Sequence, residues 1–142
     1  MNYGRIAAAA LVVWILSIPI GYLINDVLLT GIFAANAAAV RPLSDVLPRL
    51  PIGFGMMLLA YFALAYTYAK GYEGGNGVAE GARFGITIAV VLSGLALVWL
   101  YVTFPITGSM VVARIAQAFV EMPIYGAIIG SIYRPLQPKI AM

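Results

Sequence analysis

The sequence predicts an all-α integral membrane bundle of four transmembrane helices, arranged as two helical hairpins with a short interfacial amphipathic helix between the first two spans. Three observations carry this expectation. The chain of 142 residues is 63% apolar, where a water-soluble domain is close to half apolar. Only 9% of its residues are charged, against about a quarter in soluble domains. Apolar runs with at most one charge recur four times along the chain, and each can supply the roughly 20 helical residues that cross a bilayer core of about 30 Å. The length suits a single domain. The same composition excludes a disordered chain. With no Cys and no His, disulfides, thiolate metal sites, Cys nucleophiles and the commonest general base and metal ligand are all removed.

Residues 6–24 carry no charge, and the apolar run continues past Asp26 to Phe33. This is far longer than the apolar core of a signal peptide, so we read it as a retained span over about residues 6–30. Residues 52–69 form the second uncharged run and predict a span over about 52–70. Residues 84–113 are too long for one crossing; Pro105 and Gly108 interrupt them, which predicts a span over about 83–103 and a tight turn after it. The last run, residues 115–133, contains Glu121 as its only charge, and the span is predicted over about 112–133.

Orientation follows from the basic residues near the span ends. Arg5, Lys70, Arg83, Arg134 and Lys139 fall on one side, and Arg41, Arg49 and Arg114 on the other. Five against three places both termini in the cytoplasm. Tyr66, Tyr68, Tyr72 and Tyr133 suit the cytoplasmic interface, and Trp99, Tyr101 and Phe104 the outer one. Between the first two spans, Arg41, Asp45 and Arg49 recur at every fourth residue of segment 34–50. That spacing predicts one short amphipathic helix in the outer interface, limited by Pro42, Pro48 and Pro51. The connection 71–81 is Gly-rich and polar, with Glu73 and Glu80 flanked by Lys70 and Arg83. Its near-zero net charge is not that of a nucleic-acid patch. Gly75, Gly77 and Gly81 are spaced one residue too widely for a dinucleotide-binding loop, and they follow a helix rather than a strand.

Two constellations stand out. Gly77, Gly81, Gly85, Ala89 and Ser93 put a small residue at every fourth position into the third span, and Gly126 and Gly130 repeat the spacing in the fourth. Such ridges let helix backbones approach closely, within one chain or between copies. Arg114, Gln117, Glu121 and Tyr125 fall on one stripe of the fourth span, and Asn25 and Asp26 lie at a similar depth in the first. An acid inside a membrane is costly and points to a site with a named partner. One reading is a proton, cation or polar-substrate site. The other is a structural ion pair of Glu121 with Arg114, Arg41 or Arg49 that locks helices together.

The stretch from Lys70 to Gly85, which opens Lys-Gly-Tyr-Glu-Gly-Gly, together with the Tyr-Arg-Pro ending at residues 133–135, resembles a group of uncharacterised small bacterial membrane proteins with four spans. The resemblance implies the four-span architecture, a multi-pass protein of the bacterial plasma (inner) membrane, and no particular activity. It also implies an ordered central loop, in which Lys70, Glu73, Glu80 and Arg83 would pair with one another. Taken together, these readings lead to a non-enzymatic membrane protein, an accessory or self-associating structural component. The alternative is a small transporter or channel with a polar site around Glu121. An intramembrane enzyme is disfavoured, since neither His nor Cys nor a Ser–Lys spacing supplies a nucleophile and base. The expected partners are the lipid bilayer and a second copy or another membrane protein, with no nucleic acid. No cofactor and no metal are expected.

Overall fold

A computed structural model of the chain describes residues 1–133; Arg134, Pro135 and Lys139 lie outside the described residues. The described chain is all-α, and four of its helical stretches are long and apolar enough to cross a membrane. Helix α1 spans Tyr3–Tyr22 and continues as a π-helical stretch, Leu23–Leu28. Two short helices follow, α2 (Thr30–Ala35) and α3 (Leu43–Val46), and then the long helix α4 (Leu50–Gly71). Helix α5 (Gly77–Leu92) passes through a second π-helical stretch, Ser93–Leu97, into α6 (Val98–Thr103). Helix α7 spans Gly108–Ile132. In space α5 packs along α7, and α1 lies against α4 and α7.

The outer surface is apolar. Leu11, Ile15, Leu59, Leu95, Val102 and Val112 are all exposed, as befits side chains whose solvent is hydrocarbon. Lipid removes the hydrophobic drive between helices, so packing and hydrogen bonding must hold the bundle. The core accordingly mixes small and aromatic residues. Ala9, Ala10, Val13 and Ala65 are almost fully buried, together with Tyr61, Tyr68, Tyr125 and Tyr133. Tyr61 and Tyr125 meet edge to face at 5.5 Å, an arrangement worth about 1 kcal/mol beyond the area it buries.

Helix starts differ from the sequence expectation because capping residues extend them. Asn2 accepts from the Arg5 N–H, so the first span begins at Tyr3 rather than near residue 6. The Asn76 side chain accepts from the Val78 and Ala79 N–H groups, so the third span begins at Gly77, six residues earlier than expected. Thr107 accepts from the Met110 N–H and starts the fourth at Gly108. Each cap satisfies donors that the first turn of a helix leaves free, which lets a polar turn join the apolar span.

Within segment 34–50 the expected short helix is brief: α3 covers Leu43–Val46 and passes into the 3-10 turn Leu47–Arg49. Its prolines divide the segment: Pro42 precedes α3, Pro48 lies in the 3-10 turn Leu47–Arg49, and Pro51 sits in the first turn of α4. Proline is tolerated at such starts and breaks helix interiors. Arg49 therefore donates to the Asp45 main-chain carbonyl rather than continuing a charged face.

Both π-helical stretches follow one rule. Widening a turn disturbs the backbone ladder, and a polar side chain there donates to the carbonyl four residues back. Asn25 donates to the Gly21 oxygen at 2.7 Å, and Ser93 to the Ala89 oxygen at 2.7 Å. The two ends of the bundle are tied separately. At one end Arg5 donates to the Ile132 carbonyl at 3.1 Å, closing α1 onto the last turn of α7. At the other, Asn36 and Thr107 join the segment after α2 to the turn before α7.

Candidate functional site

The small-residue ridge is an interhelical seam. Gly77, Gly81 and Gly85 on α5 face Gly130, Gly126 and the Met122–Pro123 backbone on α7. A Cβ at any of these glycines would overlap a carbonyl of the opposite helix. The two backbones therefore touch, and only glycine fits between them. Ala89 continues the face, fully buried. Ser93, half-buried at the start of the π-helical stretch, donates its hydroxyl to the Ala89 oxygen.

The polar stripe of α7 is a hydrogen-bonded chain. Arg114 Nη1 donates to Asn25 Oδ1 at 2.7 Å and to Gln117 Oε1 at 2.9 Å. Gln117 Nε2 donates to Glu121 Oε1 at 2.9 Å. The guanidinium also lies over the Phe33 ring, 4.7 Å from its centre. The order Asn25–Arg114–Gln117–Glu121 thus links α1 to α7. The expected ion pair is replaced: among the described residues, Arg114 reaches Glu121 only through the Gln117 amide. The two residues lie seven positions apart, about 10 Å along the helix axis, and the amide between them meets the guanidinium as acceptor and the carboxylate as donor. Neither Arg41 nor Arg49 takes part. Tyr125, one turn beyond Glu121, packs on Tyr61.

Asp26 does not join the chain; it is exposed on the rim of a cavity of ≈ 660 Å³ between the end of α1, α3 and the start of α4. Asn25 and Arg114 line this cavity together with the apolar Ile18, Phe54 and Met57. Glu121 is not among its lining residues.

Several contacts are invisible at the level of spacing. Asn36 is 4% exposed. Its Oδ1 accepts from the Thr107 N–H at 2.8 Å, and its Nδ2 donates to Thr107 Oγ1 at 3.1 Å and to the Ile32 oxygen at 2.8 Å. The one available signal was a lone amide among five alanines and other apolar residues in segment 32–40. Ser17, also buried, donates to the Trp14 carbonyl, and Trp14 Nε1 donates to the Phe54 oxygen at 3.0 Å.

The central loop is ordered, though not by the pairing of Lys70, Glu73, Glu80 and Arg83 that the resemblance implied. Glu80 is buried and accepts from the Glu73 N–H at 2.7 Å. Lys70 lies 5.0 Å from the centre of the Tyr66 ring. Gly74 takes φ +89, a conformation that lets the chain turn back within five residues. Tyr68, Tyr72 and Tyr133 pack edge to face beneath it.

Among the described residues no group of three or more acidic side chains gathers where a metal could be held. Comparison with protein-family models, with curated proteins and with solved structures finds no match to this chain.

Proposed function

We propose that this chain is a non-enzymatic accessory component of the bacterial inner membrane, with both termini in the cytoplasm. In this reading its polar stripe is a structural lock. The carrying observation is that the chain from Asn25 to Glu121 is closed on itself: its side chains partner one another. No buried side-chain nitrogen or oxygen among the described residues lacks a hydrogen bond. A site that binds and releases a cation needs an acid open to it; here Glu121 is held by the Gln117 amide and does not line the cavity beside Arg114. The orientation is supported by the basic residues at the Tyr72 end and the inner-membrane location by the resemblance of loop 70–85. The glycine seam is spent within the chain, so association with a second copy or another membrane protein falls to the outward apolar surfaces.

A small transporter or channel is the second reading. It is favoured by the cavity bounded by Arg114, Asn25 and Asp26, which reaches one end of the polar chain. Purified protein in liposomes loaded with proton- and potassium-sensitive dyes separates the two. The lock predicts fluxes equal to those of protein-free liposomes. A flux that Glu121→Gln abolishes in a folded protein would establish the second reading instead.

A further inference from the structure

We propose that the cavity between α1, α3 and α4 holds one membrane phospholipid with an amine-bearing head group, its phosphate on Arg114, its ammonium near Asp26 and an acyl chain along Ile18, Phe54 and Met57.

Charge makes the first argument. Arg114 is half-buried at membrane depth, and the groups it touches are two neutral oxygens and an aromatic face. A guanidinium carries five N–H donors; the two hydrogen bonds recorded both leave from Nη1. A cation in such surroundings favours an anion with several acceptor oxygens, and a phosphate diester fits it.

Shape and access make the second. The cavity's ≈ 660 Å³ falls within the usual range of small-molecule sites. Its lining combines a cation, an acid and an amide, Arg114, Asp26 and Asn25, with apolar side chains such as Ile18, Phe54 and Met57, the chemistry that an amphiphile needs. Tyr22, Asp26 and Leu43 both line it and are exposed, so it opens sideways through the apolar surface, where lipid is the neighbour. Arg114 lies six residues into α7, about 9 Å from its first residue, and a long basic side chain at that depth reaches the head-group level. Asp26 on the same rim repels a purely anionic head and attracts an ammonium group.

Native mass spectrometry of the full chain in detergent tests this, with phosphatidylethanolamine, phosphatidylglycerol, water-soluble glycerophosphoethanolamine and inorganic phosphate each added in turn. We expect one phosphatidylethanolamine per chain, held in preference to phosphatidylglycerol. Arg114→Gln should weaken it about tenfold, and Ile18→Trp, which fills the cavity from an exposed position outside the polar chain, should do the same. Asp26→Asn should erase the head-group preference. Where Arg114→Gln does not fold, Arg114→Lys and Ile18→Trp decide the matter. Equal retention in a folded Arg114→Gln or in Ile18→Trp would overturn the assignment. So would binding of phosphate or glycerophosphoethanolamine as strong as that of the lipid, which would mark a simple anion site. These outcomes are independent of whether the protein conducts ions.

Discussion

Arg114 and Glu121 share Gln117: its Oε1 accepts from the arginine and its Nε2 donates to the glutamate, each at 2.9 Å. A neutral amide thereby couples two charges that the helix keeps apart. Burying a directly paired Arg and Glu strips water from both ions at once, a cost that their attraction only partly offsets. Placing an amide between them gives each charge a dipole of the right sign, and it fixes α7 against α1 through Asn25.

The glycine seam predicts opposite signs for similar substitutions. Gly81→Ala and Gly126→Ala insert a methyl group where a carbonyl already sits and should lower stability by about 1–3 kcal/mol, the range for overpacking. A bulkier Gly81→Leu or Gly85→Leu should prevent α5 from closing on α7. Gly94→Ala meets nothing within 4 Å and should be neutral or stabilising, since alanine favours helix over glycine by about 1 kcal/mol. Thermal unfolding in detergent reads all five variants. Equal effects at Gly81 and Gly94 would show that the two backbones do not touch.

The Asn36 tie predicts a local weakness. Asn36→Leu leaves the Thr107 N–H without its acceptor, at a cost of about 1–3 kcal/mol for a buried donor. Hydrogen exchange at Thr107 and Met110 should accelerate, while amides in the middle of α7 stay protected. Unchanged exchange at Thr107 would mean that the tie does not hold the turn.

At the other end, Glu80 organises the loop as an acceptor. Glu80→Gln keeps an oxygen for the Glu73 N–H and should change little. Glu80→Ala removes it, and the Glu73 amide should exchange about tenfold faster, as expected for the loss of one such bond. Equal exchange in the two variants would remove Glu80 from that role.

Orientation is checked by fusion reporters. One placed after Lys139 should report cytoplasm, and one inserted within residues 34–50 should report the outside. The reverse result at both positions would invert the protein while leaving its helices intact.

Where the sequence was readable, a single periodicity sufficed. Four apolar runs, glycines every fourth residue and a polar stripe at helical spacing are properties of one helix at a time, and each appears on the expected helix. What escaped depends on two segments meeting. Asn36 and Thr107 are 71 residues apart, and nothing local marks either as the partner of the other. The amide that separates Arg114 from Glu121 sits on the stripe in plain view, but which atoms meet is set by side-chain rotamers rather than by spacing. The π-helical stretches leave no apolar pattern of their own. In segment 34–50 the charges repeat at a helical period, and the prolines confine the helix to Leu43–Val46 and one 3-10 turn.

The central claim is that Gln117 carries the coupling between Arg114 and Glu121. The most direct test is a double-mutant cycle of Arg114→Gln and Glu121→Gln on thermal stability, run once in the native background and once with Gln117→Leu. Removing one charge alone should hurt more than its share, and the double variant should recover part of the loss. The coupling should be about 0.6 kcal/mol and at most about 1.7, the range for interhelical polar contacts in membranes. It should vanish in the Gln117→Leu background. A coupling that persists without Gln117 would mean that the two charges interact directly, and no coupling in either background would mean that the stripe does not act as a lock.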